Sequence, residues 1–198
     1  MLNSDKFEFW EELYKNDSAG WNMKSATPAF LDLLNHNLLK DKKTLLVLGS
    51  GYGYDAIAAA KNGFKVTAND FSETANKFAS ELAQMENVNI KFLTKDMFLI
   101  DEKMKFDIVY DYVTYCAINT KRRKEYAKKV ASLLKTKGVF VIILFPIEDR
   151  PGGPPFAVDV KEAEKLFCEK MELVLSTDEI KTIKPRRGRE LLQIYRKN

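Results

Sequence analysis

Histidine, cysteine and long apolar runs are all scarce in this sequence. Its 198 residues include one histidine and two cysteines, Cys116 and Cys168, which are too few for a disulfide framework or for a zinc site built from these residues. No apolar run reaches the about 20 residues that span a bilayer, and the first residues lack the basic and apolar regions of a signal peptide. We therefore expect a cytoplasmic protein whose chemistry uses no protein-bound soft metal.

A strong excess of one charge is absent as well. The 32 lysines and arginines nearly balance the 28 aspartates and glutamates, which leaves a net charge of +4 and gives little reason to expect a nucleic acid or an acidic membrane as partner. Basic clusters at residues 121–124 and 184–189 are compatible with nucleic-acid contacts, but no aromatic residues alternate with them. We interpret both clusters as solvated faces and expect a monomer.

What the sequence does contain is a regular alternation of apolar and amphipathic segments. Helices are predicted at residues 5–15, 27–39, 54–62, 72–85, 120–135 and 159–169, and strands at residues 44–48, 65–69, 89–93, 106–110, 139–145, 171–181 and 190–195. Such alternation predicts an α/β fold with a mostly parallel seven-stranded sheet and helices on both faces. We expect one domain over residues 1–198, with N-terminal cover helices in residues 1–40 and the core in residues 43–198.

The first predicted strand ends in a glycine-rich loop at residues 49–53, with the sequence Gly-Ser-Gly-Tyr-Gly, which opens a helix. Open α/β sheets bind ligands at this position, and glycines there let the backbone approach a ligand closely. Asp70 ends the second strand 21 positions after Gly49, where an acid accepts hydrogen bonds from ribose hydroxyls. Asp96 and Met97 follow the third strand, where they can bind and cover an adenine. A tight strand-to-helix turn would explain the glycine loop by itself. The loop together with Asp70, Asp96 and Met97 predicts a nucleoside-containing ligand.

The form of the glycine loop narrows the choice of ligand. Tyr54 stands where a dinucleotide fingerprint has its third glycine, which argues against NAD and FAD. No Gly-Lys-Ser/Thr follows the loop, so a P-loop is excluded. A Gly-x-Gly-x-Gly loop after strand one, an acid after strand two and a helix ahead of strand one are typical of Rossmann-like class I methyltransferases, which use S-adenosylmethionine (SAM).

Three further stretches carry a more specific resemblance. They are Phe106–Tyr112 with its continuation at residues 115–119, Phe145-Pro146 followed by residues 152–156, and residues 186–190. Together with the aromatic residues of the predicted N-terminal helix and with Trp21, they make the chain resemble the thiopurine S-methyltransferase family, particularly its thiol and halide methyltransferase branch. The resemblance extends over residues 10–195.

The resemblance implies a role for each site residue, with SAM as cofactor and S-adenosylhomocysteine as product. The residues expected to bind SAM are Trp10 and Trp21 on the N-terminal side, Gly49, Ser50 and Gly51 at the methionine part, Asp70 at the ribose, Asp96 and Met97 at the adenine, and Asp111 at the amino group. The residues expected to line the acceptor pocket are Tyr112, Tyr115, Phe156 and Arg186, and Arg123 is expected near the cofactor.

A sulfonium methyl group is already activated, so its transfer mainly needs an acceptor held in line and water excluded. A soft nucleophile such as a thiol, thiopurine, hydrosulfide, thiocyanate or halide needs little further help. Where a thiol must lose its proton, Asp111 or Tyr115 could relay it, while Arg123 or Arg186 would favour the anion. Cys116 is interpreted as a small buried residue rather than a nucleophile.

Other functions on the same fold stay open. Fold alone does not fix the chemistry, so a small-molecule O- or N-methyltransferase and an inactive SAM-binding protein are the alternatives. Pro154-Pro155-Phe156 is similar to the motif of amino methyltransferases that act on flipped bases. We set nucleic-acid methylation aside because Gly153 precedes this motif and because it follows strand five rather than strand four.

Overall fold

The protein is described by a computed structural model over residues 4–198. Its strands are β1 (Thr44–Leu48), β2 (Lys65–Asp70), β3 (Ile90–Thr94), β4 (Phe106–Tyr112), β5 (Leu134–Leu144), β6 (Met171–Thr177) and β7 (Leu191–Lys197). Its α-helices are α1 (Phe7–Lys15), α2 (Pro28–Leu33), α3 (Tyr54–Lys61), α4 (Glu73–Met85), α5 (Arg123–Leu133) and α6 (Val160–Cys168). The strands form one sheet in the order β3-β2-β1-β4-β5-β7-β6. The predicted Rossmann-like fold, with a mostly parallel seven-stranded sheet and N-terminal helices, is confirmed.

Lys6–Ile100 forms a compact unit, which we call the N-terminal unit. In it, β1 and β3 both pair in parallel with β2. The four residues that follow Thr44 in β1 are all buried and apolar, as expected for a parallel strand covered on both faces. Because parallel strands end at the same edge of a sheet, the glycine loop, Asp70 and Asp96 come to one edge of this unit.

Asp101–Asn198, with residues 4 and 5, forms a second compact unit, which we call the C-terminal unit. In it, β4 and β5 are parallel, whereas β7 runs antiparallel to both β5 and β6. Its core includes four fully buried aromatic side chains whose neighbouring ring centroids lie 5.1 to 6.3 Å apart, Tyr126, Phe140, Phe167 and Tyr195. Rings of this size dominate the packing of a core. That residues 1–198 act as a single domain stays a prediction.

The predicted helix at residues 27–39 is divided in the structure. The helix α2 ends at Leu33, and a separate 3-10 helix occupies Asn37–Leu39. His36 lies between them with an extended backbone, and its Nδ1 accepts a hydrogen bond from the backbone N–H of Leu38 at 3.3 Å. The histidine therefore caps the second helix instead of continuing the first.

Thr27 precedes Pro28 at the start of α2, as predicted, but its hydroxyl does not cap the helix. It donates to Asp55 Oδ2 at 2.8 Å, and the backbone N–H of Thr27 donates to Asp55 Oδ1 at 2.6 Å. Asp55 lies in the first turn of α3. A carboxylate next to the glycine loop thus fixes the start of α2, which explains why the threonine hydroxyl is turned away from its own helix.

The helix α5 ends at Leu133, two residues before its predicted end, and β5 begins at Leu134. Lys197 Nζ, from β7, donates to the carbonyl oxygens of Ala131 at 2.7 Å and Leu134 at 2.9 Å. The last carbonyl groups of a helix lack partners within it, so a cation there stabilises its end. This partner is 66 positions from Ala131 in the sequence, which is why the local pattern did not predict the early end.

Three structural features relate to the predictions made from the scarcity of long apolar runs, histidine and cysteine. Within residues 4–198, no helix is long and apolar enough to cross a membrane. Over the same range, no group of three or more His, Cys, Asp or Glu side chains is placed to hold a metal ion. Both cysteines are free thiols, Cys116 buried and Cys168 exposed.

Candidate active site

The loop after β1 turns the backbone sharply into α3. Gly49, Gly51 and Gly53 have φ angles of +54°, +52° and +81°, in the left-handed region that glycine adopts without strain. A Cβ on Gly53 would lie 2.7 Å from the Cβ of Ala79. The third glycine is therefore required for the close approach of this loop to α4, and the first two shape the backbone at the carboxyl end of β1.

Asp70, at the end of β2, directs its carboxylate to the glycine loop. Its Oδ2 accepts a hydrogen bond from the backbone N–H of Gly51 at 2.7 Å, and its Oδ1 accepts one from the backbone N–H of Ser72 at 2.9 Å. Burial raises the pKa of this carboxyl, which is 6% exposed, and the backbone hydrogen bonds oppose the rise. Each carboxylate oxygen can accept a further hydrogen bond. The structure thus brings together the loop and the acid that the spacing predicted.

Aromatic side chains of the N-terminal segment lie at the glycine loop. Tyr14 Oη accepts a hydrogen bond from Trp21 Nε1 at 3.2 Å, and it would lie 3.0 Å from a Cβ on Gly51. The ring of Tyr14 meets the ring of Tyr52 edge-on at 5.3 Å, and Trp10 meets Trp21 edge-on at 5.5 Å. The predicted Trp10 and Trp21 therefore belong to one aromatic cluster with Tyr14, which contacts the loop and was not predicted as a site residue.

Ser50, Asp96 and Met97 are the other predicted cofactor residues of the N-terminal unit. Ser50 Oγ is buried and has no hydrogen-bond partner among residues 4–198, and a buried hydroxyl in this state favours a ligand that supplies one. Asp96 precedes a short 3-10 helix, and its Oδ1 accepts a hydrogen bond from the backbone N–H of Phe98 at 2.9 Å. Met97 begins that helix and is buried.

Asp111, on β4 in the C-terminal unit, is fully buried. The Tyr126 hydroxyl donates to its Oδ2, and the backbone N–H of Thr114 donates to its Oδ1 at 3.0 Å. Burial raises the pKa of Asp111 to about 6, although the hydrogen bonds oppose the rise. Val113, in the same turn, has a φ of +65°, which is a strained conformation for a β-branched residue. Asp111 therefore stabilises an unusual turn at the end of β4.

Tyr115 and Arg123 form a buried pair just after this turn. Arg123 Cζ lies 4.7 Å from the centroid of the Tyr115 ring, while the guanidinium donates to the carbonyl oxygen of Ala157 at 2.8 Å and to Glu162 at 3.3 Å. The Tyr115 hydroxyl is buried without a hydrogen-bond partner among the described residues. Burial raises the pKa of Tyr115, against the opposing charge of Arg123. At neutral pH this hydroxyl is a hydrogen-bond donor rather than a base.

Tyr112 contacts both Arg186 and a buried glutamate that the sequence did not single out, Glu190. The Tyr112 hydroxyl donates to Glu190 Oε1, and the Thr182 hydroxyl donates to Oε2. Arg186 Cζ lies 4.8 Å from the ring centroid of Tyr112 and 5.0 Å from that of Phe145, and a cation at such distances is attracted to aromatic faces. Burial raises the pKa of Tyr112, with Arg186 opposing. The structure thus joins two predicted acceptor residues that lie far apart in the sequence.

Phe156 lies in the proline-rich loop between β5 and α6. Its backbone N–H donates to the carbonyl oxygen of Cys116 at 2.7 Å, so the loop contacts the turn after β4. A Cβ on Gly153 would clash with the Phe156 ring, and the peptide bonds before Pro146, Pro154 and Pro155 are cis. Burial raises the pKa of the Cys116 thiol to about 12, which fits its interpretation as a structural residue.

Three residues that hold predicted site residues were not predicted themselves: Glu11, Tyr126 and Glu190. Tyr126 lies within a predicted helix, and its role as a donor to Asp111 depends on a contact between two elements. Glu190 closes a run of arginines, which is the one local signal for it. Glu11 lies on a short helix, and its partners Ser72 and Thr74 are more than 60 positions away in the sequence.

The N-terminal unit fits SAM as a ligand. Ser50 Oγ is a buried hydroxyl without a partner in residues 4–198, and Gly49, beside it in the glycine loop, is exposed. Asp70 is a buried acceptor with capacity for hydroxyls, and Asp96 is a carboxylate held in place by a backbone N–H. SAM carries a carboxylate, an ammonium, ribose hydroxyls and an adenine amine, which these groups can bind.

Comparison with solved structures confirms the predicted fold. A Burkholderia thailandensis 1,6-didemethyltoxoflavin-N1-methyltransferase, solved with 1,6-didemethyltoxoflavin and S-adenosylhomocysteine, superimposes with a TM-score of 0.78 at 22% identity, over 97% of this chain and 87% of that one. A protein from a study of the conversion of a disulfide bond into a thioacetal group during echinomycin biosynthesis gives a TM-score of 0.80 at 21% identity, over 98% and 93% of the two chains. The fold is that of the class I SAM-dependent methyltransferases.

Sequence comparison identifies the family. The chain belongs to the thiopurine S-methyltransferase family, whose pattern it matches over residues 5–195, and it is a SAM-dependent methyltransferase. "Probable thiol methyltransferase 2" of Arabidopsis thaliana is 31% identical, over 100% of this chain and 88% of that protein. Thiocyanate methyltransferase 1 of the same plant is 31% identical over 95% and 84% of the two chains, and thiopurine S-methyltransferase of Vibrio campbellii is 29% identical over 81% of each.

Proposed function

We propose that this methyltransferase transfers the methyl group of SAM to a small soft nucleophile: a thiol, a thiopurine, hydrosulfide, thiocyanate or a halide. The observation that carries the proposal is the chemistry of the predicted acceptor residues. The Tyr112 hydroxyl donates a hydrogen bond to Glu190, and burial raises the pKa of both Tyr112 and Tyr115. Neither tyrosine is a base at neutral pH, so these residues suit an acceptor that is already an anion or ionises readily.

The residues of the N-terminal unit are proposed to bind and orient the cofactor. Bound SAM supplies a methyl group on a positively charged sulfur. The backbone of the glycine loop and the Ser50 hydroxyl bind the methionine part, Asp70 accepts the ribose hydroxyls, and Asp96 accepts the adenine amine beside Met97. Trp10 and Trp21 exclude water and present aromatic faces to the positive charge.

The residues of the C-terminal unit are proposed to receive the acceptor. The Tyr115 hydroxyl, which lacks a partner among residues 4–198, donates a hydrogen bond to it, and Phe156 and Tyr112 provide apolar surface. The charges of Arg123 and Arg186 favour an anion. Asp111 is proposed to attract the amino group of the cofactor, while its two hydrogen bonds from Tyr126 and Thr114 hold its orientation.

The relatives support the same acceptor class. The names of the plant and bacterial relatives state thiol, thiocyanate and thiopurine acceptors. We further propose that the protein is a cytoplasmic monomer of one domain, consistent with its two free thiols. We also propose that it has no nucleic-acid partner. Light scattering coupled to size-exclusion chromatography tests the monomer directly.

A matched pair of acceptors tests the function. The purified protein is incubated with SAM and either thiophenol or phenol, which differ only in sulfur for oxygen, and S-adenosylhomocysteine is quantified. Hydrosulfide, iodide, thiocyanate and a thiopurine extend the soft set, and aliphatic and aromatic amines extend the hard set. We expect turnover with soft acceptors and little with phenol or amines. Turnover confined to phenols or amines would identify an O- or N-methyltransferase, and binding of SAM without any turnover would overturn the proposal.

A further inference from the structure

Glu11 on α1 is a buried carboxylate to which the start of α4 donates three hydrogen bonds. The residue is 5% exposed. Its Oε2 accepts a hydrogen bond from the Ser72 hydroxyl at 2.6 Å, and its Oε1 accepts one from the Thr74 hydroxyl at 2.6 Å. The backbone N–H of Thr74 also donates to Oε2 at 3.3 Å. A single side chain of the N-terminal helix therefore holds the first turn of α4.

Ser72 connects Glu11 to the predicted ribose acid. Its hydroxyl donates its one proton to Glu11 and accepts a hydrogen bond from the backbone N–H of Ala75 at 3.0 Å, so that it caps α4. Its backbone N–H donates to Asp70 Oδ1 at 2.9 Å, and Asp70 Oδ2 accepts from the Gly51 N–H at 2.7 Å. A continuous chain of hydrogen bonds thus runs from α1 through Asp70 to the glycine loop.

The surroundings of Glu11 favour its negatively charged form. Burial disfavours the charged form of Glu11, but hydrogen bonds from Ser72 and Thr74 outweigh this effect and, with Lys15, lower its pKa. Lys15 Nζ lies 3.8 Å from Oε1, and the N-terminus of α4 also favours an anion. Glutamine would preserve the shape of the side chain, but it would lose the charge and bring an NH2 group towards hydroxyls that now act as donors.

We propose that Glu11 is a positioning residue for cofactor binding, which holds Ser72 and thereby orients the Asp70 carboxylate towards the ribose hydroxyls. This inference rests on the ribose-binding role of Asp70 in the proposed function. It gives the N-terminal helix a part in binding the ribose that is separate from the aromatic faces of Trp10 and Trp21. Glu11 acts through another residue, so its effect is specific to the part of the ligand that Asp70 contacts.

The test compares Glu11→Gln with Glu12→Gln, a neighbouring glutamate whose side chain is 64% exposed. Dissociation constants are measured by calorimetry for S-adenosylhomocysteine and for its 2′-deoxy analogue, which lacks one ribose hydroxyl. We expect Glu11→Gln to weaken binding of S-adenosylhomocysteine about tenfold and binding of the deoxy analogue clearly less, and Glu12→Gln to change neither. Unchanged affinity, or an equal loss for both ligands, would overturn the proposal.

Two further variants test the role of Glu11 independently of Glu11→Gln alone. If Glu11→Gln does not fold, Thr74→Val removes one donor to the same carboxylate and is judged by the same two ligands. Asp70→Asn, alone and combined with Glu11→Gln, forms a double-mutant cycle. A combined loss smaller than the product of the single losses supports action through Asp70, and independent losses contradict it. If Asp70→Asn alone leaves binding unchanged, the ribose role of Asp70 fails, which is a different result from the failure of Glu11.

Discussion

The N-terminal and C-terminal units present their predicted ligand-binding groups in different ways. In the N-terminal unit, three glycines with positive φ shape the loop backbone, and Asp70 is oriented by backbone N–H groups from Gly51 and Ser72. In the C-terminal unit, most groups are side chains oriented by other side chains, such as Tyr112 by Glu190. The first arrangement depends on local backbone conformation, and the second depends on contacts between distant parts of the chain.

This difference indicates which of the two units tolerates substitution of its ligand-binding residues. A backbone site for a constant ligand can be specified by a short motif, because a glycine loop and one acid fix most of its geometry. A site built from side chains can be altered one residue at a time without disturbing a backbone turn. We infer that the cofactor residues are hard to vary, whereas the residues around Tyr115 and Arg186 can adapt to different acceptors.

The largest expected effect is at the glycine loop. Gly53→Ala places a Cβ 2.7 Å from Ala79 at a φ of +81°, which combines backbone strain with a clash and should lower the free energy of unfolding by about 2 to 5 kcal/mol. Gly63→Ala is the matched control, because its φ is +85° and, within residues 4–198, a Cβ there would meet no other part of the chain within 4 Å, so strain alone should cost about 1 to 2 kcal/mol. Denaturant unfolding measures both. Equal losses would show that close packing at Gly53 is unimportant.

The next largest effect is expected at Asp70, the acid that contacts the glycine loop. Asp70→Asn should weaken SAM binding by roughly 1.5 to 3 kcal/mol through loss of charge-assisted hydrogen bonds, which corresponds to about 10-fold to 150-fold. Glu73→Gln, which changes an exposed acid at the first residue of α4, should leave affinity unchanged. Calorimetry with SAM or S-adenosylhomocysteine provides the measurement. A similar affinity for both variants would mean that the loop and the acid are wrongly assigned.

A pH effect is expected in the C-terminal unit. The pKa of Asp111 is about 6 in the folded protein, above its ordinary value of 3.8, so the folded state takes up a proton first as the pH falls. Relative to Asp111→Asn, the wild type should therefore gain about 1 kcal/mol of stability between pH 7 and pH 5. Unfolding curves of both proteins at several pH values test this. A difference that stays constant, or that grows with rising pH, would contradict the raised pKa.

The smallest expected effect is that of Tyr115→Phe, which we compare with Tyr126→Phe at a neighbouring tyrosine. Tyr115→Phe removes a hydroxyl that has no partner among residues 4–198, so stability should change little, while acceptor binding weakens by about 1 kcal/mol, or about fivefold. Tyr126→Phe removes the donor to Asp111 and should instead destabilise the fold. Unfolding curves and the KM for a thiol acceptor distinguish the two. If Tyr115→Phe leaves the KM unchanged, its hydroxyl does not contact the acceptor.

Most of the fold could be predicted because its signals are local. The strand β1 was predicted with its observed bounds, and the helix α3 was predicted with its observed start at Tyr54. The errors fall where a distant residue decides the outcome. Lys197 caps the end of α5, and Asp55 takes the hydroxyl of Thr27.

The residues of the candidate site also differ in whether local sequence or a distant contact determines their role. The glycine loop and Asp70 could be predicted, since parallel strands place their ends at one edge of a sheet. Tyr126, Glu190 and Glu11 could not, because each acts on a residue from another element, 15, 78 and 61 positions away for the bonds to Asp111, Tyr112 and Ser72. Their own segments show only ordinary helix or loop composition.

The sequence by itself determined the class of fold, because alternating apolar segments and a glycine loop followed by an acid act through local backbone geometry, and its resemblance to a known family indicated the cofactor and the family. The tertiary structure alone decided which side chains orient the acids and which keep a buried hydroxyl without a partner among residues 4–198. Glu11 at Ser72, Tyr126 at Asp111 and the buried Tyr115 hydroxyl are outcomes of this kind. The physical reason is that burial sets the cost of each polar group, and burial is fixed only when the distant segments pack together.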